Sequence, residues 1–207
     1  MYLDKPLQTY LDELASSQPT PGGGSAAALS GAMGAGLASM VARLTIGKAD
    51  YADVQTEIEA ISQQTERLRA RFQQLMQEDI EAYGRLSATF KLPRITLEEK
   101  AARTEAIQKQ LAGAALVPLE VAECAAELVQ YCLRIAEIGN ANVLSDIATG
   151  AALAASAGTG ASWMVRTNLR AMKDLELVNT LSNRLGTALD SIATYSQQIV
   201  SKVGERA

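Results

Sequence analysis

Histidine is missing altogether from the 207 residues of this chain. That absence removes a Ser-His-Asp triad, a Cys-His pair, histidine-bound zinc and the commonest general base. Any catalysis has to use carboxylates, Lys, Tyr, Cys, Ser, amides or a bound cofactor. Aromatic residues are scarce, 4% of the chain against 48% hydrophobic residues overall, so a core must be assembled from Ala, Leu, Ile and Val. Nowhere do Val, Ile, Thr and aromatics alternate over a strand's length, and essentially no sheet is expected. The two cysteines, Cys124 and Cys132, fall on one predicted helix, too far apart for a mutual disulfide. They read as core thiols of a reducing compartment. The net charge of −4 argues against a nucleic-acid partner. Met1-Tyr2-Leu3-Asp4-Lys5 lacks the basic and apolar regions of a signal peptide, which predicts a cytoplasmic protein.

Charge is absent from Gln18 through Ala42. This run opens with Pro19-Thr20-Pro21-Gly22-Gly23-Gly24-Ser25, where two prolines and three glycines predict a turn. Ser25 stands where an N-cap belongs, ahead of Ala26-Ala27-Ala28-Leu29. The helix that follows has few large side chains and reads as the fully surrounded centre of a bundle. Its length would also suit a membrane span, but its low content of Leu, Ile, Val and Phe argues against one. The glycine loop is either a plain break between helices or a nest of backbone N–H groups able to receive a carboxylate, carbonyl or phosphate. It is neither a P-loop nor a dinucleotide fingerprint.

The remaining chain reads as helix after helix, and residues 1–207 as one all-α domain. Residues 4–16 form a short helix with Leu7, Leu11 and Leu14 on one side. The apolar helix is expected to end at Gly47-Lys48, near the cations Arg43 and Lys48. A long helix follows over 51–90. On its seam, Phe72, Leu75, Asp79, Tyr83 and Leu86 follow one another at gaps of three and four, so Asp79 falls on a buried stripe. A carboxylate there is either paired or functional. Thr96-Leu97-Glu98-Glu99 is a capping box, and Pro118 is expected to kink or break the next helix. Asn142 is a candidate N-cap for a second small-residue helix over 143–172, in which Gly158 and Gly160 are candidate breaks. Asp146 is the one charge between Ile138 and Val165, and so needs a partner or a task. The last helix, over 175–203, carries Val178, Leu181, Leu185, Leu189, Ile192 and Ile199 on a seam.

Pro21-Gly22-Gly23-Gly24-Ser25 with its small-residue helix, together with Leu44-Thr45-Ile46-Gly47-Lys48, resembles the formiminotransferase-cyclodeaminase C-terminal family. Asp79-Ile80-Glu81-Ala82-Tyr83, Val117-Pro118-Leu119, Gly139-Asn140, Ser145-Asp146 and Asn168-Leu169 extend the likeness over nearly the whole chain. The family includes cyclodeaminase domains and free-standing bacterial methenyltetrahydrofolate cyclohydrolases, and this chain resembles the free-standing kind. The resemblance implies an all-helical homodimer with its active site near the subunit interface. It implies action on a tetrahydrofolate derivative as substrate, with no metal or other cofactor and no membrane partner. The family's catalytic aspartate maps onto Asp79, and the aspartate of its Ser-Asp pair onto Asp146. Met164 stands where a further asparagine is expected before Asn168.

The implied chemistry suits a chain without histidine. Cyclodeamination closes N10 onto the formimino carbon of 5-formiminotetrahydrofolate and expels ammonia. Cyclohydrolysis adds water to the 5,10-methenyl carbon. Each passes through a tetrahedral carbon and needs a proton shuttle, the role given to Asp79. Asp146 and Asn168 are candidates for the polar head of the folate. Gly22, Gly23, Gly24 and Ser25, with Lys48 and Arg43, are candidates for its anionic or carbonyl groups. The contrasting reading is a non-catalytic folate-binding or oligomeric helical scaffold.

Overall fold

The computed structural model describes residues 2–206, and among them the regular elements are helices alone. Six α-helices follow in order: α1 (Leu7–Leu14), α2 (Gly23–Arg43), α3 (Gln55–Phe90), α4 (Leu97–Ile138), α5 (Leu144–Ala171) and α6 (Leu175–Arg206). Short 3-10 turns stand at Tyr2–Asp4, Ala49–Val54 and Ala141–Val143. Helices α3 to α6 alternate in direction, and α2 runs antiparallel to both α3 and α5.

Missing side chains set the closest approaches. A Cβ on Gly34 would lie 2.7 Å from the carbonyl oxygen of Gly150, so α2 and α5 touch backbone to backbone. Ser30 Oγ donates across the same seam to the Leu153 carbonyl at 2.9 Å. On the other flank of α2 the Phe72 ring of α3 fills the space a Cβ on Gly31 would need. The long seams then bury Leu68, Phe72 and Leu75 of α3, Leu119, Leu128 and Ile135 of α4, and Leu181 and Ile199 of α6. Each such side chain contributes about 1.5–3 kcal/mol by leaving water. Ion pairs Arg134–Glu57 and Arg71–Glu120 lie across the antiparallel α3–α4 register. Cys124 and Cys132 are buried free thiols, and burial pushes both up to about 12.

The capping box holds: Thr96 Oγ1 accepts from the Glu99 N–H at 3.2 Å, and the Glu99 carboxylate accepts from the Thr96 N–H at 3.1 Å. Several expected boundaries move. Helix α2 begins at Gly23 with Gly22 as its N-cap, so two of the three glycines are helical and Ser25 sits inside the first turn. It ends at Arg43 with Leu44 as C-cap, and Asn140 Nδ2 donates to the freed Leu44 carbonyl at 3.1 Å. Gly47, at φ 76°, belongs to the turn beyond. The N-cap before the 3-10 turn leading into α5 is Asn140, not Asn142. Pro118 does not break α4, which runs unbroken through it. Gly158 does not break α5 either; Ile192 of α6 occupies the place of its side chain.

Helix α1 packs differently from its leucine pattern. Tyr10 is its buried residue, while Leu7 and Leu11 stay exposed. Nor is α2 fully surrounded: Met33 is 50% exposed and Met40 36%. At 21 residues α2 is long and apolar enough to cross a membrane by length and composition, yet 61% of its apolar window is buried in the bundle.

Candidate active site

At the end of the bundle where α2 begins, four helices enclose a cavity of about 370 Å³. Its polar surface comes from Thr20, the backbone of Gly22–Gly24, Asp79, Thr167 and Asn168. Its walls are apolar, with Tyr83, Leu86 and Phe90 of α3 facing Leu111 of α4 and Met164 of α5.

The glycines matter here for what they lack. A Cβ on Gly24 would stand 2.6 Å from Asp79 Oδ2, so only glycine lets the carboxylate settle on the first turn of α2. The first N–H groups of an α-helix have no partner within the helix. That of Ser25 donates to Asp79, and those of Gly23 and Gly24 are left to the cavity. None of the three glycines has a positive φ, so the expected nest is instead an ordinary helix N-terminus. Its partial positive charge favours an anion or a carbonyl oxygen there.

Ser25 pins this turn from beneath. Its buried Oγ donates to the Gly22 carbonyl at 2.8 Å and accepts from the Gly22 N–H at 3.2 Å. The remaining lone pair meets the Tyr10 hydroxyl at 3.1 Å. With the Ser25 proton committed to Gly22, Tyr10 is the donor. Ser25 therefore supports the site from behind instead of lining it, and the buried Tyr10 explains why α1 packs on its tyrosine. Sequence periodicity gave no sign of that contact.

Burial pushes the Asp79 carboxyl up to about 6, against the opposing pull of the Ser25 N–H. A group with that value exchanges protons readily near neutral pH. The seam count thus located a perturbed acid facing a cavity.

The remaining candidates divide. Asn168 lines the cavity. Lys48 and Asp146 do not. Gly23 lies against Met164, Gly34 against Gly150 and Leu44 against Asn140, so the far ends of α2 and α5 are roughly 30 Å away at 1.5 Å per residue. Lys48 and Asp146 both sit there, Lys48 exposed and Asp146 partly buried. Arg43, at the same end, pairs with Glu66 at 3.4 Å. Met164, in place of the expected asparagine, gives the cavity an apolar surface beside Gly23. Of the aromatic walls, Tyr83 is read from sequence only as a seam residue.

The same architecture recurs elsewhere. Formiminotetrahydrofolate cyclodeaminase from Thermotoga maritima superposes with a TM-score of 0.90 at 28% identity, over 99% of this chain and 98% of that one. Methenyltetrahydrofolate cyclohydrolase from Methylorubrum extorquens is 39% identical over 95% of both chains. Formimidoyltransferase-cyclodeaminase from Rattus norvegicus is 30% identical over 99% of this chain but only 38% of its own length. The family model of formiminotransferase-cyclodeaminase matches residues 6–187, a span that holds the glycine turn, Asp79 and Asn168 alike. The chain belongs to the formiminotransferase-cyclodeaminase family.

Proposed function

We propose that this chain is a folate one-carbon enzyme that works at the carbon bridging N5 and N10 of a tetrahydrofolate, with Asp79 as its proton shuttle. The observation that carries this reading is a carboxyl raised to about 6 on the wall of an apolar cavity, against a helix N-terminus. The relatives named above, which act as cyclohydrolases or cyclodeaminases by name, support the substrate class.

In cyclohydrolysis the ionised Asp79 takes a proton from water as its oxygen adds to the electrophilic methenyl carbon. That proton then goes to N5 as the carbon–N5 bond breaks, while the added hydroxyl gives up its own proton to solvent and becomes the formyl oxygen, leaving 10-formyltetrahydrofolate and one proton released. In cyclodeamination N10 adds to the formimino carbon, and Asp79 carries the N10 proton to the departing ammonia. One carboxyl serves both, because each reaction passes through a tetrahedral carbon with one proton to relocate. Tyr83 and Phe90 offer faces to the flat rings of the ligand, and the N–H groups of Gly23 and Gly24 offer donors to an oxygen. The test is a side-by-side assay with 5,10-methenyl- and 5-formiminotetrahydrofolate. Turnover of neither substrate, with no folate binding in calorimetry, would return the chain to the scaffold reading.

The working unit in this proposal is a homodimer. Met33, Met40 and Leu44 line the exposed side of α2, next to a helix without charge as far as Ala42. A two-fold axis perpendicular to α2 on that side would run two α2 helices antiparallel. It would bring Lys48 and Asp146 of one copy to the Asp79 cavity of the other, their one route into the site. Mixing Asp79→Asn and Lys48→Ala copies tests this. Random reassortment should restore about a quarter of wild-type activity, since one site in four is then intact. No recovery, or a monomer in sedimentation at micromolar concentration, refutes the shared site.

A further inference from the structure

Pro118 and Asn168 are far apart in sequence and meet at one carbonyl. In an α-helix the carbonyl of residue 114 accepts from the N–H of residue 118. Pro118 has no N–H, yet it lies buried within the unbroken α4. The orphaned Ala114 carbonyl accepts instead from Asn168 Nδ2 of α5, at 2.9 Å. A buried carbonyl without a donor is costly, so this bond dictates which way the amide faces. Its nitrogen must turn to Ala114. Among the described residues no donor meets Oδ1, and Asn168 and Ala114 both line the cavity.

We propose that Pro118 is a positioning residue that locks the Asn168 amide with its oxygen toward the cavity, so that the site selects a ligand edge bearing an N–H or NH₂ donor. An asparagine is otherwise ambiguous, because its two ends can exchange by rotation of the amide. Removing the proline's N–H from α4 settles that choice at the cost of one helical bond. Taken with the folate reading, on which this assignment of the ligand edge rests, the group seated on Asn168 is the amino–lactam donor edge of the pterin and not its carbonyl. Ala112, Gly113 and Ala115 beside this carbonyl have no polar side chain to replace the amide. The lock therefore depends on the pair.

The experiment uses the full chain and three variants. Pro118→Ala returns an N–H to the Ala114 carbonyl and releases the amide. In the ligand-free protein, the Asn168 side-chain NH₂ protons should exchange with water about tenfold faster in Pro118→Ala than in the wild type, with the melting temperature equal or higher. Binding of 5,10-methenyltetrahydrofolate should weaken about 5- to 30-fold, the worth of one oriented hydrogen bond, with KM affected more than kcat. Asn168→Asp keeps an acceptor but sets a carboxylate against the Ala114 carbonyl, and should bind worse than the wild type by at least as much. Adding Pro118→Ala to Asn168→Asp should then recover part of the lost affinity, because the carbonyl no longer needs the side chain as donor. Losses that simply add in the double variant overturn the proposal, as does exchange that Pro118→Ala leaves unchanged. If the amide is locked in the wild type and freed in Pro118→Ala, but no tetrahydrofolate binds to either, the lock stands and the folate reading falls.

Discussion

Asp79→Asn tests the catalytic assignment on two axes at once. The change keeps the size of the side chain and an oxygen for the Ser25 N–H, but removes the ability to take up a proton. Turnover should fall by roughly 10²–10⁴, the usual range of general acid–base assistance, while folate affinity changes far less. Stability follows from the carboxyl's displacement, from 3.8 to about 6 in the folded chain. A raised carboxyl binds more protons folded than unfolded, so its contribution is fully present below pH ~3.8 and lost as pH rises through ~6. The displacement corresponds to about 3 kcal/mol. Asp79→Asn should therefore match the wild type near pH 4 and exceed it in melting temperature by roughly 6–12 °C above pH 7, taking 2–4 °C per kcal/mol for a chain of this size. In the wild type, kcat/KM should rise with pH up to about 6 and then level off. The assays are thermal melts of both proteins from pH 4 to 8 and initial rates over the same range. A variant that is less stable at pH 7.5, yet turns over near-normally per folded molecule, would make Asp79 a structural acid and refute the reasoning.

Gly24→Ala places a methyl group where the Asp79 carboxylate lies; turnover should drop at least tenfold with helix content by circular dichroism intact. Gly23→Val is the milder change, because a Cβ there meets only Met164, at 3.6 Å; affinity for the folate should fall less than turnover does in Gly24→Ala. Gly34→Ala forces α2 and α5 apart at the Gly150 carbonyl and should cost about 1–3 kcal/mol in urea unfolding, as overpacking usually does. Tyr10→Phe removes the donor to Ser25 Oγ and should cost about 0.5–1.5 kcal/mol, with a smaller effect on turnover.

Periodicity read the fold well where residues act along one helix. The seams of α3 and α6 and the Thr96–Glu99 capping box are local patterns, and they reappear in three dimensions except at Tyr83, which is 41% exposed. What failed was the reading of certain prolines and glycines as helix breakers. Pro118, Gly23, Gly24 and Gly158 all lie inside helices, although each has a poor intrinsic preference for that state. Their tolerance is tertiary. Gly24 gives way to a carboxylate of α3, Gly158 to an isoleucine of α6, and Pro118 leaves the Ala114 carbonyl to an amide of α5. No window of neighbouring residues contains those partners, so propensity alone reads each as a break.

The same distinction explains which site residues were legible. Asp79 was visible because a charge on an apolar stripe violates a local rule, and such violations mark places where function overrides stability. Asp146 was likewise an anomaly of a charge-poor stretch and Lys48 a cation just past the end of another, yet they stand about 30 Å from Asp79 along α2 and α5. An anomaly in sequence marks a residue without placing it at the cavity. Tyr10 shows the converse: a lone tyrosine on a leucine-bearing helix breaks no rule, and only packing reveals that its hydroxyl holds the turn beneath the carboxylate. In a chain without histidine, the acid at the cavity is set by burial, and burial at Asp79 depends on a glycine fifty-five residues earlier. The chemistry of that carboxyl is therefore decided where α2 and α3 touch.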